Sequence, residues 1–196
     1  MSFHDYFKAS TGGWPRSGSI GLESDWFDVG TLHLPTGELW VGCCFDSMRD
    51  DGCVVRVSPG MHRISIKGMD FEGHRRAARA RLCLDSSEKA TITAECGQVG
   101  VDGGIIAFCD ICTFENVVLP QYFESFLSEY GKAAMAACFE SYGIRSTVFT
   151  YAGQSIGVAF MQSGLGDGTY PVYALRSGGQ VVGLEVEFLA PEYQSS

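Results

Sequence analysis

Positive charge is scarce in this chain. Lys and Arg number 14 against 23 Asp and Glu, a net charge of −9. A protein that grips nucleic acid must neutralise phosphates with basic side chains, so this balance argues against nucleic acid as a direct partner. Long apolar runs are also missing. Those present are strand-sized, far short of the roughly 20 residues a helical membrane span needs, so no membrane association is expected. The first 13 residues, MSFHDYFKASTGG, lack a basic head followed by an apolar stretch, and a secretory signal is therefore not expected. The expected location is cytoplasmic, with the eight cysteines as free thiols in a reducing compartment. No internal repeat or low-complexity tract interrupts the sequence.

What is present suffices for a sizeable core: 45% hydrophobic residues and 12% aromatics over 196 positions. The expectation is a single domain over 1–196, with an ordered core from about 26 to 190 and short tails. Charge is distributed unevenly. Residues 1–90 hold 11 basic and 12 acidic side chains (11 − 12 = −1), and residues 91–196 hold 3 and 11 (3 − 11 = −8). An acidic half attracts a basic partner and speeds its encounter.

Short β-forming runs separated by Gly and Pro dominate the chain. Residues 29–34 and 38–45 flank Pro35-Thr36-Gly37 and read as a hairpin. A polar loop, 46–52, precedes a run at 53–57 and a Ser58-Pro59-Gly60 turn. Residues 61–67 alternate, with Met61, Arg63, Ser65 and Lys67 on one side and His62, Ile64 and Ile66 on the other, the pattern of a half-buried strand. HRRAARARLCL at 74–84 also reads as a strand: period two gathers Arg75, Ala77, Arg79, Arg81 and Cys83 on one face, whereas a helix would scatter the arginines. Further strands are expected at 91–96, 101–109 and 147–151. Residues 154–189 read as a three-stranded antiparallel meander whose turns are Gly-Leu-Gly-Asp-Gly and Ser-Gly-Gly. A substantial helix is expected over residues 120–140. Pro120 suits its first position, and Phe123, Phe126, Leu127, Tyr130, Ala134, Ala137 and Cys138 form its apolar stripe. The fold class is mainly β (α+β): antiparallel, sandwich-like sheets with one substantial helix packed on a sheet.

The chemistry-bearing constellations are incomplete. Cys109-Asp110-Ile111-Cys112 is a CxxC, and Cys43, Cys44 and Cys53, with His33 or His62, could supply a second ligand pair; yet Cys109 ends an expected strand, where three-residue spacing points side chains to opposite faces, no glycine-bearing knuckle surrounds the pair, and the expected helix starts too late to stabilise a thiolate. The glycine-rich 164–168 stretch lacks the Lys-Ser/Thr of a phosphate loop and the alternating oxygens of a calcium loop, so it reads as a turn. Asp102 and Asp110 share a strand face but lie about 26 Å apart at about 3.3 Å per residue, too far for joint acid–base work, which leaves turn and capping roles. The arginine stripe is expected to lie on a solvated sheet face or to pair with the acidic C-terminal half. No cofactor, metal or catalytic residue is expected.

The ordered set LHLPTGELWVGCCF, SPGMHRISI, RRAARARLCL, GVDGGIIAFCD and GLGDGTYPVYALRSGGQVVGLEVEF resembles bacterial domain-of-unknown-function family 4241 over about residues 30–190. The closing element carries the most specific part of the match, at Gly166, Asp167, Gly168, Tyr170, Pro171, Tyr173, Gly179 and Phe188. His62 stands where the pattern has proline. The resemblance implies a β-rich domain and transfers no catalytic residue.

Small acidic chains of this kind look like the immunity proteins made beside secreted bacterial toxins. The expected function is a non-enzymatic immunity protein that binds a cognate toxin with a basic surface 1:1, in its most concrete form a nuclease effector of type VI secretion. The expected contacts are Glu115, Glu124, Glu129, Glu140 and Asp167 for charge, with Tyr122 and Tyr173 as aromatic anchors. The alternative is a small-ligand-binding protein or enzyme with a cleft at the sheet edge near Asp167.

Overall fold

Period-two patterning becomes two antiparallel sheets. The computed structural model describes residues 23–44, 52–71, 74–85, 89–102, 104–118, 132, 144–151, 154–164 and 166–189. Its strands are β1 (Phe27–Leu34), β2 (Glu38–Cys43), β3 (Cys53–Arg56), β4 (Gly60–Phe71), β5 (His74–Leu84), β6 (Thr91–Val101), β7 (Ile105–Asp110), β8 (Ile144–Tyr151), β9 (Gln154–Gln162), β10 (Gly168–Ser177) and β11 (Gln180–Glu187). Six form one sheet in the order β1-β4-β5-β11-β10-β6, and five form the other in the order β3-β2-β7-β9-β8. Among the described residues no helix is long and apolar enough to cross a membrane.

The inward faces of both sheets supply one core. Leu32, Ile64, Ile66, Leu82, Val172 and Leu184 of the larger sheet pack with Leu39, Val41, Ile106, Phe108 and Met161 of the smaller. Each large apolar side chain so buried contributes about 1.5–3 kcal/mol. The alternation expected in β4 is present: His62, Ile64 and Ile66 are buried, while Met61 and Arg63 are exposed. The smaller sheet is also covered on its outer face, where Trp40, Ala107, Cys109, Val158 and Phe160 form a second cluster with Phe114. The Trp40 and Phe114 rings stack at 4.1 Å.

Three expectations need correction. Residues 154–189 are not a three-stranded meander. β10 and β11 are a hairpin across Gly178 and Gly179, both at positive φ (56° and 86°), but β9 pairs with β7 and β8 in the other sheet. The Gly-Leu-Gly-Asp-Gly stretch is thus a crossover between sheets. Gly164 lets it pass close to β5, since a Cβ there would lie 2.2 Å from the Ala77 carbonyl oxygen. The Pro35-Thr36-Gly37 turn is a crossover too, joining β1 of the larger sheet to β2 of the smaller. Ala77 does not share a face with Arg79. A bulge opposite Lys67 and Gly68 inserts Ala78 and turns Ala77 into the core. Short helical turns are described at Ile111–Thr113 and Phe114–Val118. The helix expected over 120–140 lies outside the described residues save for Lys132, which is helical.

Candidate functional site

The outer face of the six-stranded sheet carries a polar row that crosses every strand. Successive register partners are Asp28 (β1), Ser65 (β4), Arg81 (β5), Glu185 (β11), Tyr173 (β10) and Glu95 (β6). A second row, Lys67, Arg79 and Glu187, lies beside it. Alternation places these side chains outward because their strand neighbours fill the core.

Glu185 is the centre of this face. Its side chain is 1% exposed, and it accepts from Arg79 Nη1 at 2.9 Å and from Arg81 Nη2 at 2.7 Å and Nε at 3.0 Å. Arg79 also donates to Glu23 at 2.6 Å and pairs with Glu187, and Lys67 reaches Glu23 at 3.1 Å. Glu23 arrives from the segment before β1, which continues along β4: Glu23 bridges Met69, and Ser24 exchanges hydrogen bonds with the Gly68 backbone. Trp26 of that segment lies over the Arg81 guanidinium at 4.2 Å and near Lys67 Nζ at 5.3 Å.

Burial by itself would raise the Glu23 carboxyl, but the hydrogen bonds and charges of Arg79 and Lys67 outweigh it and hold the group below its ordinary value. Burial would lower Arg79, yet Glu23 and Glu185 drive it up. Neither group titrates near neutral pH, where a general acid or base must work. The network is also neutral: Lys67, Arg79 and Arg81 balance Glu23, Glu185 and Glu187. It holds charge in place and is not suited to proton transfer.

The other singled-out residues are dispersed. Asp110 is buried at the end of β7, accepting from the Thr36 backbone N–H at 2.9 Å, the Thr36 hydroxyl at 2.8 Å and the Cys112 N–H at 3.1 Å. It ties the β1–β2 crossover to β7 and caps the helical turn, the turn and capping role its sequence position suggests. Burial pushes Cys109 well up, and burial with Asp110 pushes Cys112 up to about 11, so neither CxxC thiol is poised as a thiolate. Glu115 is exposed on the π-helical turn beyond the end of β7. Asp167 is exposed on the β9–β10 crossover, at the end of the sandwich where β7 begins. Tyr173 belongs to the polar row on the opposite sheet. The structure therefore does not gather Glu115, Asp167 and Tyr173 on one surface. Glu124, Glu129, Glu140 and Tyr122 lie outside the described residues.

The β10–β6 ladder ends on Gly168 opposite Val101, so Asp167 and Asp102, both exposed, are the residues next beyond its last pair. Their loops are fixed from within. The Cys43 thiol donates to the Asp102 carbonyl at 2.9 Å, and the Gly166 carbonyl accepts from the Ser163 hydroxyl at 2.5 Å and the Tyr170 hydroxyl at 2.9 Å.

A family model described as "Protein of unknown function (DUF4241)" matches residues 32–185. The chain belongs to the DUF4241 family. No curated protein and no solved structure matches it. Within this DUF4241 chain, sequence reasoning placed the Arg79/Arg81 stripe and its acidic partners in outline but missed Glu23 and Trp26. Their available signal was a Glu and a Trp three residues apart just ahead of the first strand.

Proposed function

We propose that this protein is a non-enzymatic immunity protein that neutralises a secreted bacterial toxin with a basic surface, most concretely a nuclease effector of type VI secretion, by covering the toxin's active site. The observation that carries the reading is electrostatic. Arg79 and Arg81 of β5, with Lys67 of β4, are cancelled in place by Glu23, Glu185 and Glu187, so the whole net charge of −9 resides outside that neutral network. Asp102 and Asp167, both exposed, put two of those carboxylates at the same end of the β6–β10 ladder. A basic cleft meeting such a surface is steered electrostatically and blocked against its own anionic substrate.

In this reading Glu115, Glu124, Glu129 and Glu140 add further carboxylates to the contact. Tyr173 stays with the charge network rather than the contact.

The test is a pull-down of the tagged chain from its host at low and high salt, followed by association kinetics with the protein recovered. The expected result is one basic protein in 1:1 amount, whose on-rate drops by on the order of tenfold as salt screens the charges. Charge reversal at Asp102 with Asp167, or at Glu124 with Glu129, should slow association further. No stoichiometric partner at either salt would sink the proposal and favour a small-ligand role.

A further inference from the structure

Cys53 and Cys96 come from strands that are far apart in both sequence and sheet. Cys53 opens β3, the edge strand of the smaller sheet, and Cys96 lies in β6, an edge strand of the larger one. The fold brings these edges together. The Cys53 sulfur packs against Gly97, the residue next to Cys96, so closely that a Cβ at 97 would lie 2.6 Å from it. Glycine at 97 is what permits the approach.

Cys96 is turned toward that contact by a bulge. Tyr173 pairs with Glu95 and Val172 with Gly97, leaving Cys96 as the extra residue of β6. Its Sγ lies 3.3 Å from the Val172 carbonyl oxygen, and the Cys53 sulfur is seated against the backbone of the very next residue. The two differ in access: Cys53 is buried and Cys96 exposed. They differ in acidity as well. The neighbouring Cys53 thiol draws Cys96 down to about 7, against the opposing effects of burial and the Glu95 charge, while Cys96 and burial push Cys53 up. An exposed, acidic thiol with a second thiol against it is the arrangement of an attacking and a resolving cysteine.

We propose that Cys53 and Cys96 are a hydroperoxide-responsive dithiol that closes to a disulfide joining the two sheets along their adjacent edges. The Cys96 thiolate attacks a peroxide oxygen. An S–O bond forms, the O–O bond breaks, and the leaving hydroxide takes up a proton as water. The sulfur of Cys53, losing its proton, then displaces the hydroxyl from the Cys96 sulfenic acid as a second water. Two thiols lose two electrons in total and one hydroperoxide is reduced. The product ties β3 to β6, which otherwise meet without backbone pairing, and narrows the unfolded ensemble. This inference is independent of the immunity reading and survives if that reading fails.

The experiment treats the full-length protein with hydrogen peroxide, alkylates the remaining thiols and maps peptides without reduction. The expected result is a linked pair of peptides holding Cys53 and Cys96, equal loss of both free thiols, reversal by dithiothreitol and a rise in Tm of the oxidised form. Cys96→Ser, at an exposed position that leaves the core intact, should abolish the link and slow Cys53 oxidation by at least about tenfold. In Cys53→Ser, Cys96 should instead advance to the sulfinic acid. Cys96 over-oxidised in the wild type while Cys53 remains alkylatable would overturn the proposal. So would links scattered among other cysteines, or a Cys96 that peroxide leaves untouched.

Discussion

His62 sits on the inner face of β4, fully buried, with Nδ1 3.2 Å from the Gly60 carbonyl oxygen and a buried Nε2 that has no hydrogen-bond partner. Burial pushes its pKa below the ordinary 6.5, and the Gly60 carbonyl only partly offsets this. The unfolded chain therefore binds the proton more tightly than the folded one. Stability is complete above about pH 6.5 and declines as pH falls through that value toward the lower folded pKa. We expect Tm to drop between pH 7.5 and pH 5.5 in thermal melts, and His62→Leu to flatten that slope. Glu23 acts in a separate window: its contribution is present above about 4.5 and is lost as pH falls through its depressed value. Gly183 is a second single-residue constraint. A Cβ there would lie 1.9 Å from the Leu82 carbonyl oxygen, so β5 and β11 could not keep their spacing. Gly183→Ala should cost about 3 kcal/mol or more in urea unfolding. A loss within about 0.5 kcal/mol would show that the strands can part cheaply.

Between elements, the ion network holds β4, β5 and β11 together with the segment ahead of β1. Glu185 is its critical member because it is buried and serves two arginines. Glu185→Ala leaves Arg81 without that carboxylate on a half-buried face, and the expected cost is about 3 kcal/mol by chemical denaturation. Salt should change this value little, since a buried pair is poorly screened. Exposed pairs such as Arg56 with Glu38 should contribute less than about 1 kcal/mol. Deleting residues 1–26 should destabilise the larger sheet by removing Glu23 and Trp26, with a fall in Tm as the readout. The register of this face was partly legible beforehand. Period two put Lys67 on the polar side of 61–67 and Arg79 with Arg81 on one face of 74–84, and the acidic C-terminal half offered counter-charges to the arginines. The break at Ala77 was not legible, because a bulge is set by the partner strand and leaves no pattern of its own.

At the scale of the whole molecule, an acidic protein with its basic stripe internally neutralised should repel polyanions and attract polycations. We expect no retention on immobilised heparin at 50 mM salt and retention on an anion exchanger at pH 7. Binding to heparin would contradict the charge distribution described here. Sheet order also belongs to this scale. The β10–β11 hairpin inserts between β5 and β6, which follow each other in sequence yet never pair. This arrangement brings Glu185 to Arg81 and Cys96 to Cys53.

Strand existence, the inward and outward sides of β4, and the β10–β11 turn followed from the sequence alone, because side-chain alternation and positive-φ glycines are local properties of the chain. The family was also readable there, from the closing Gly-Asp-Gly-x-Tyr-Pro run. Sheet membership was not. Pro35-Thr36-Gly37 and the 164–168 glycines satisfy a hairpin and a crossover equally well, and the choice depends on which faces can share a core. The meeting of Cys53 with the Cys96 segment, the closure of Glu23 onto Arg79 and the placing of Asp102 and Asp167 at one end of the β6–β10 ladder likewise required the tertiary structure. Each joins residues whose separation in sequence carries no information about their distance in space.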